Sequence, residues 1–416
     1  MMTSIRITLV LTLQIFVVMA VQAAQTTDAQ RWAQQLSFPA PGDRSVRGDV
    51  VIDGNTALII SNSDVYAFVR GEDGKWAQQA ELKRDLESWI DDHKSGYHFS
   101  TNSMALSGGT VLIGGMDLEN SGFLSLGTQA SYVYVRRDNG TWIEQAKLTG
   151  NDMRRSLLGS TRVAIDGDTA LTGVVERGRL DQKSLGTVQV FVRAKDGKWT
   201  QQAELIPDDS TESKFFGSTM ALSGDTALIG AGYVFVREKD GTWKQQAKLQ
   251  GPAVDGPTEV SVALEGDTAL VSFNKETVSS PGWVDVFVRD ASRTWNKQAQ
   301  LKPESGNGNI NYGDTVSLSG GTALIGTSGK KNKRSKYADV FVRGENGVWN
   351  RQTTLGIDLL ATGSVALSGK TGIVVGDRTI SQRVAQLAVM RASDPTINPD
   401  DFPVGDVIYF FNLGEN

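Results

Sequence analysis

The sequence predicts an all-β fold, a seven-bladed propeller of four-stranded antiparallel blades, on the strength of three recurring phrases. A tryptophan-headed phrase occurs seven times, among them "WAQQAEL" at Trp76, "WTQQAEL" at Trp199 and "WKQQAKL" at Trp243. From Trp32 to Trp349 the copies span 317 residues in six intervals. That period of roughly 53 residues belongs to stacked supersecondary units. A second phrase, also in seven copies, reads "VVIDGNTALII" from Val50, "MALSGDTALIG" from Met220 and "VALSGKTGIVV" from Val365. Each copy is two apolar runs around a glycine-containing polar turn, the signature of a hairpin. The third phrase, "VQVFVR" or "VDVFVR", ends near Arg70, Arg137, Arg193, Arg237, Arg289 and Arg343. An Asp-Gly or Asn-Gly turn then leads to the next tryptophan.

One unit is therefore four strands. The first three are nearly continuous apolar runs, as expected of strands covered on both faces by neighbouring units. The fourth alternates: Trp243, Gln245, Ala247 and Leu249 share one face, and Lys244, Gln246 and Lys248 share the other, which suits an outer strand guarded by lysines. The repeated tryptophans read as fillers of the core and of the contacts between units.

The order of strands explains both ends of the chain. The first phrase, "RWAQQLSF", is a fourth strand with nothing before it, and the last unit starts at Ser364 without reaching a tryptophan phrase. Residues 32–38 are thus expected to complete the last blade and close the ring, which removes an exposed edge. Blades are expected at about 46–85, 100–150, 160–207, 216–250, 258–302, 313–355 and 363–391, in one domain over 24–416. For the third strand of the last blade, "VAQLAVMR" from Val384 is preferred to "DVIYFF" from Asp406. Residues 392–416 are then a Pro-rich segment with an extra strand.

Residues 1–23 carry one arginine, an apolar run from Ile7 to Val21 and small residues ending at Ala23. This is the pattern of a signal peptide, so the mature protein is expected to be secreted or periplasmic and to lack a transmembrane helix. Without cysteine, stability must come from packing rather than disulfides. A formal net charge of −5 over 416 residues gives no reason to expect nucleic acid.

Phrases such as "FGSTMALSGDTALIGAG" from Phe216, followed by "YVFVR" and "WKQQAKL", resemble FG-GAP repeats, the blades of integrin alpha-chain propellers and of many bacterial secreted proteins. The resemblance covers roughly residues 32–391. Phe216-Gly217 is a complete copy of the leading pair, Tyr312-Gly313 is close, and "GAP" survives only as Gly230-Ala231. The resemblance implies an interaction module, and calcium held by an Asp-rich loop between second and third strands. Calcium needs six to eight oxygen ligands. Here "DLENSG", with Asp117, Glu119 and Asn120, is the best candidate, its motif eroded, and a solvated polar loop is the plainer reading. No other cofactor is expected.

Further candidates lie in long connections that fall on one rim. The only two histidines, His93 and His98, follow Asp91 and Asp92 in "DDHKSGYH". A His–carboxylate pair can bind metal or move protons. "KKNKRSK" places Lys330, Lys331, Lys333, Arg334 and Lys336 together, a patch suited to an anionic glycan or an acidic protein. Solvated loops are the bland reading of both. No G-x-S-x-G, H-E-x-x-H, Walker loop or paired-cysteine motif occurs, so no catalytic residue is assigned. The expected function is a non-catalytic module binding a protein or glycan through the long-loop face. The alternatives are a carbohydrate lyase or hydrolase on that face, and a purely structural envelope module.

Overall fold

A computed structural model describes residues 34–39, 49–61, 64–82, 98–119, 126–149, 155–156, 160–175, 186–209, 216–230, 232–249, 261–273, 282–304, 310–329, 337–356, 364–377 and 406–412. Their strands form seven sheets, six of four strands and one of five. Blades 1 to 6 run in chain order, each a meander of four consecutive strands. In blade 3, for example, these are Ser160–Asp166, Thr169–Val175, Thr187–Arg193 and Trp199–Leu205. In blade 7, Val365–Ser368 pairs with Thr371–Asp377, which pairs with Asp406–Asn412, and that strand pairs with Gln34–Pro39. The N-terminal strand therefore completes the last blade, as the repeat order required; Trp32 itself lies outside the described residues.

Two expectations about the blades are corrected. The third strand of blade 7 is Asp406–Asn412 rather than 384–391, which lies outside the described residues. Val407 to Phe411 is the longer β-branched and aromatic run, suited to a strand with neighbours on both edges. The uniform four-strand pattern holds in six blades and fails in blade 2, where the short strand Arg155–Ser156 pairs with Gly127 and Thr128. Blade 2 can take a fifth strand because its first three strands run on for 10, 10 and 11 residues. Those of blade 4 have only 4, 4 and 5.

Buried side chains gather into seven clusters, each shared by two adjacent blades. Blade 1 supplies Val50, Ile59, Trp76 and four further residues to a cluster completed by Ala366 and Ile373 of blade 7. The core is thus a circle of interfaces, and the ring is closed through the same kind of contact that joins any two blades.

Hydrogen bonds draw the same circle near the axis. In every copy of the hairpin phrase the residue before the turn glycine is Asp, Ser or Glu, and its side chain accepts a hydrogen bond from the turn glycine N–H of the next blade. Asp53 accepts from Gly108 (2.7 Å), Ser107 from Gly167 (3.0 Å), Asp166 from Gly224 (2.6 Å) and Ser223 from Gly266 (3.0 Å). Glu265 accepts from Gly320 (2.9 Å), Ser319 from Gly369 (2.9 Å), and Ser368 from Gly54 (3.0 Å), which closes the circuit across the seam.

The outer strands are locked by a β-bulge. Burial alternates in blade 3, where Trp199 and Leu205 are buried and Thr200, Gln202 and Glu204 are exposed, but in the blade 4 strand Trp243–Lys248 only Lys244 is exposed, Gln246 and Lys248 being half-buried. The pairing does not stay in register, however. Phe191 faces Gln201 and Val190 faces Ala203, so the second glutamine of the phrase, Gln202, faces no residue of the third strand. The same slip recurs in blades 1 to 6. A bulge re-aims a side chain. Here it sends the glutamine to the next blade's tryptophan, whose Nε1 donates to it: Trp199 to Gln145 (2.9 Å), Trp243 to Gln202 (3.1 Å), Trp295 to Gln246 (3.0 Å) and Trp349 to Gln298 (3.0 Å).

The arginine ending the third strand stacks over the same tryptophan in blades 3, 4 and 5. It also donates to the aspartate of its own Gly-Asp-Thr turn and to the threonine of the preceding blade's turn, as Arg193 does to Asp168 and Thr110. In blade 2 the turn is Gly-Gly-Thr, without aspartate. Arg136 donates to Gln79 instead (2.9 Å), and Trp142 Nε1 is left with no protein partner.

The Phe-Gly pair earns its place at a blade boundary. Phe216 is fully buried and meets Tyr233 and Phe235 edge-to-face. Gly217 has φ +80°, where a side chain is strained, and a Cβ there would press on Thr187 and Val188 of blade 3. Gly313 at φ +81° is tighter, its Cβ position lying 2.8 Å from Ser272 and 2.9 Å from Val284 of blade 5. Phe216→Ala should destabilise the protein by about 3–5 kcal/mol, as a large core truncation; chemical denaturation checks this, and an unchanged midpoint would contradict the placement.

Candidate binding face and axial cavity

The turns joining first to second strands lie on one rim, so the starts of the first strands lie on the other. That second rim also receives the connections between second and third strands and those between blades. The variable, long segments of the sequence all enter and leave there. Two blades carry the strands that extend furthest at this rim: blade 2, through His98–Ser107 and Thr110–Glu119, and blade 6, through Ile310–Ser319 and Thr322–Gly329.

The sequence-predicted site residues map onto the same two blades. His98 opens the first strand of blade 2 and pairs with Leu118. Asp117 and Glu119 lie in the second strand, facing Thr128 and Leu126 of the third, and not in a loop as the calcium reading required. Asn120 and His93 lie outside the described residues. So do Lys330, Lys331, Lys333, Arg334 and Lys336, whose segment follows Gly329 and precedes Tyr337 in the sequence. Among the described residues no three His, Asp or Glu side chains group as metal ligands.

On the axis at this rim is a cavity of about 280 Å³ to which all seven first strands contribute. The residue just before each apolar run supplies the polar wall: Asp49, Ser103, Arg162, Thr219, Ser261, Thr315 and Ser364, joined by Ser218 and Asp314. Valines and methionines, including Met104, Met220 and Val316, form the apolar remainder. The first strands are the innermost, so their free edges need partners, and part of the wall serves that need. Met104 N–H donates to Asp49 Oδ2 (3.4 Å), Val163 N–H to Ser103 Oγ (3.4 Å) and Val50 N–H to Ser364 Oγ (3.3 Å).

Arg162 Nη1 stands 3.9 Å from Asp49 Oδ2. Solvent reaches Asp49 through the mouth of the cavity, yet protein surrounds its carboxylate. Burial raises its pKa above the ordinary aspartate value, against the opposing pull of Arg162 and of hydrogen bonds from Ser103 and Met104. None of these wall residues stood out in the sequence analysis. Aligning the seven hairpin phrases offers a signal: the position before the Val or Met is a hydroxyl residue in five copies and charged only at Asp49 and Arg162.

The other buried carboxylates are structural. Asp339 accepts from Tyr312 (3.0 Å) and Thr354 (2.6 Å) with Arg351 at 3.3 Å. Asp285 accepts from Lys297 (2.7 Å) and Gln300 (2.9 Å).

The fold defines the class, a β-propeller of antiparallel blades, and one repeat matches a known family model. The family model described as "FG-GAP repeat" matches residues 199–241. That span runs from the fourth strand of blade 3 through the first three of blade 4, so the sequence repeat is one strand out of phase with the structural blade. No curated protein matches the chain in sequence.

Among solved structures the chain is similar to a virginiamycin B lyase from Staphylococcus aureus, at 11% identity and TM-score 0.43 over 90% of this chain and 98% of that one. It is also similar to the N-terminal domain of Nup159, at 8% and 0.41 over 83% and 92%. A third is the S. cerevisiae core factor, at 7% and 0.47 over 86% and 53%. At these scores the likenesses say nothing about function. Among the described residues no helix is long and apolar enough to cross a membrane.

A raised folded-state pKa means that the folded protein binds more protons than the unfolded chain between the two values, so the contribution of Asp49 to stability declines as pH rises through the folded value. Asp49→Asn removes that decline. At neutral pH the variant should melt above wild type, and the two should converge as pH falls below about 3.9; a constant or inverted difference in pH-dependent melting would overturn this.

Proposed function

We propose that this is a secreted FG-GAP propeller acting as a non-catalytic module that binds a protein or glycan through its long-loop face. The observation that carries the reading is the common address of the variable features. The blades with the longest strands and the axial cavity belong to one rim, and in sequence the histidine, acidic and basic candidates adjoin the strands of blades 2 and 6 that extend there. The opposite rim is short turns of nearly constant sequence. Variable segments mounted on a rigid ring are where recognition usually resides. Blades 2 and 6 stand three positions apart around one side of the ring and four around the other, so a partner touching both would pass over the cavity mouth. That favours an extended or macromolecular ligand.

Secretion is supported by the signal-like pattern of residues 1–23. Replacing 83–97 and 330–336 together with Gly-Ser linkers should abolish capture of the partner recovered by a pull-down with the mature protein. Capture at wild-type strength by this chimera would refute the site.

Asp49 and Asp314 in one cavity favour, as a second reading, hydrolysis or lytic cleavage of a carbohydrate, for which paired carboxylates are the usual acid and base. It predicts release of reducing ends from a polysaccharide panel, lost in both Asp49→Asn and Asp314→Asn. A rate equal to the protein-free control would dismiss it.

A further inference from the structure

We infer that the axial cavity takes one neutral sugar ring, the terminal unit of a glycan seated on the long-loop face. This deepens the binding reading above and rests on it. A volume of about 280 Å³ corresponds to roughly nine waters at ~30 Å³ each, the scale of a monosaccharide, and it falls at the bottom of the ~300–1,000 Å³ range of sites for larger ligands.

The wall chemistry narrows the class. Hydroxyl side chains predominate, and a hydroxyl both donates and accepts, as the hydroxyls of a sugar do. Charged groups of both signs stand among them: Asp49 and Asp314 accept, and Arg162 donates. An anion would meet two carboxylates and a guanidinium that already faces Asp49 at 3.9 Å. An ammonium would meet that guanidinium. A neutral polyol suits both signs at once, its hydroxyls donating to carboxylates and accepting from the arginine. The lining also includes Met220 and Val316, whose side chains take part in the blade-boundary clusters. The seven first strands surround the cavity laterally, so a ligand enters it along the axis.

The test is saturation-transfer NMR and calorimetry on the mature protein with free glucose, galactose, mannose, fucose and N-acetylglucosamine, and with n-butylammonium as the cationic competitor. At least one sugar should bind saturably with Kd on the order of 1 mM. Asp49→Asn should weaken it about tenfold or more, and Ser261→Ala about threefold, with both variants melting cooperatively. Absence of saturable sugar binding, saturation by butylammonium alone, or wild-type affinity in both variants would overturn the inference.

The Gly-Ser chimera separates this inference from the reading it rests on. It should lose partner capture yet keep sugar affinity. Sugar binding absent from a wild type whose chimera still loses capture would sink the cavity assignment alone. Sugar binding present while the chimera captures normally would sink the loop-face reading alone.

Discussion

Each blade of this ring borrows a hydrogen-bond acceptor from the one before it. The innermost strand of a blade has one edge with no strand beside it, and its hairpin glycine N–H is aimed at the adjacent blade. The acidic or hydroxyl residue preceding that glycine in the neighbouring blade supplies the acceptor, seven times in succession, ending with Ser368 to Gly54 across the seam. An exposed bond of this kind is worth only about 0.5–1.5 kcal/mol. Its importance is geometric: no blade satisfies its own inner turn, so the unit that folds is the ring.

The outer contacts repeat the principle with larger side chains. In blades 3 to 6 the tryptophan at the head of the fourth strand reaches back to the preceding blade, and a one-residue bulge in that blade's fourth strand delivers the glutamine that receives its N–H. Arginine, aspartate and threonine from three other phrases interlock at the same boundary. In blade 2 the arginine takes the glutamine and the indole is left without it, whereas blade 6, whose turn also lacks aspartate, keeps the Trp349–Gln298 bond. With the core divided into seven interfaces, no blade presents an independent interior, and the rim is free to vary.

The axial cavity follows from this construction. Seven first strands converge, so the residue at the head of each becomes a neighbour of residues hundreds of positions away. Asp49, Arg162 and Asp314 meet in one wall although each, in sequence, is an ordinary polar residue before an apolar run. Enclosure by protein lifts the proton affinity of Asp49, an effect that arises only once the ring has formed.

The repeats were sufficient for the number of blades, their strand order and the closing role of the first strand, because period, alternation and turn chemistry are local properties that a chain displays in one dimension. The Phe216-Gly217 pair and the tryptophan phrases announced blade boundaries for the same reason. Tertiary structure decided what depends on who sits opposite whom. It chose Asp406–Asn412 as the third strand of blade 7, where that segment pairs along both edges, with Thr371–Asp377 and Gln34–Pro39. It slipped the fourth strands by one residue so that a glutamine meets an indole. It drew Asp117 and Glu119 into a strand. And it assembled the polar wall on the axis, because closing a ring brings together positions that no local pattern relates.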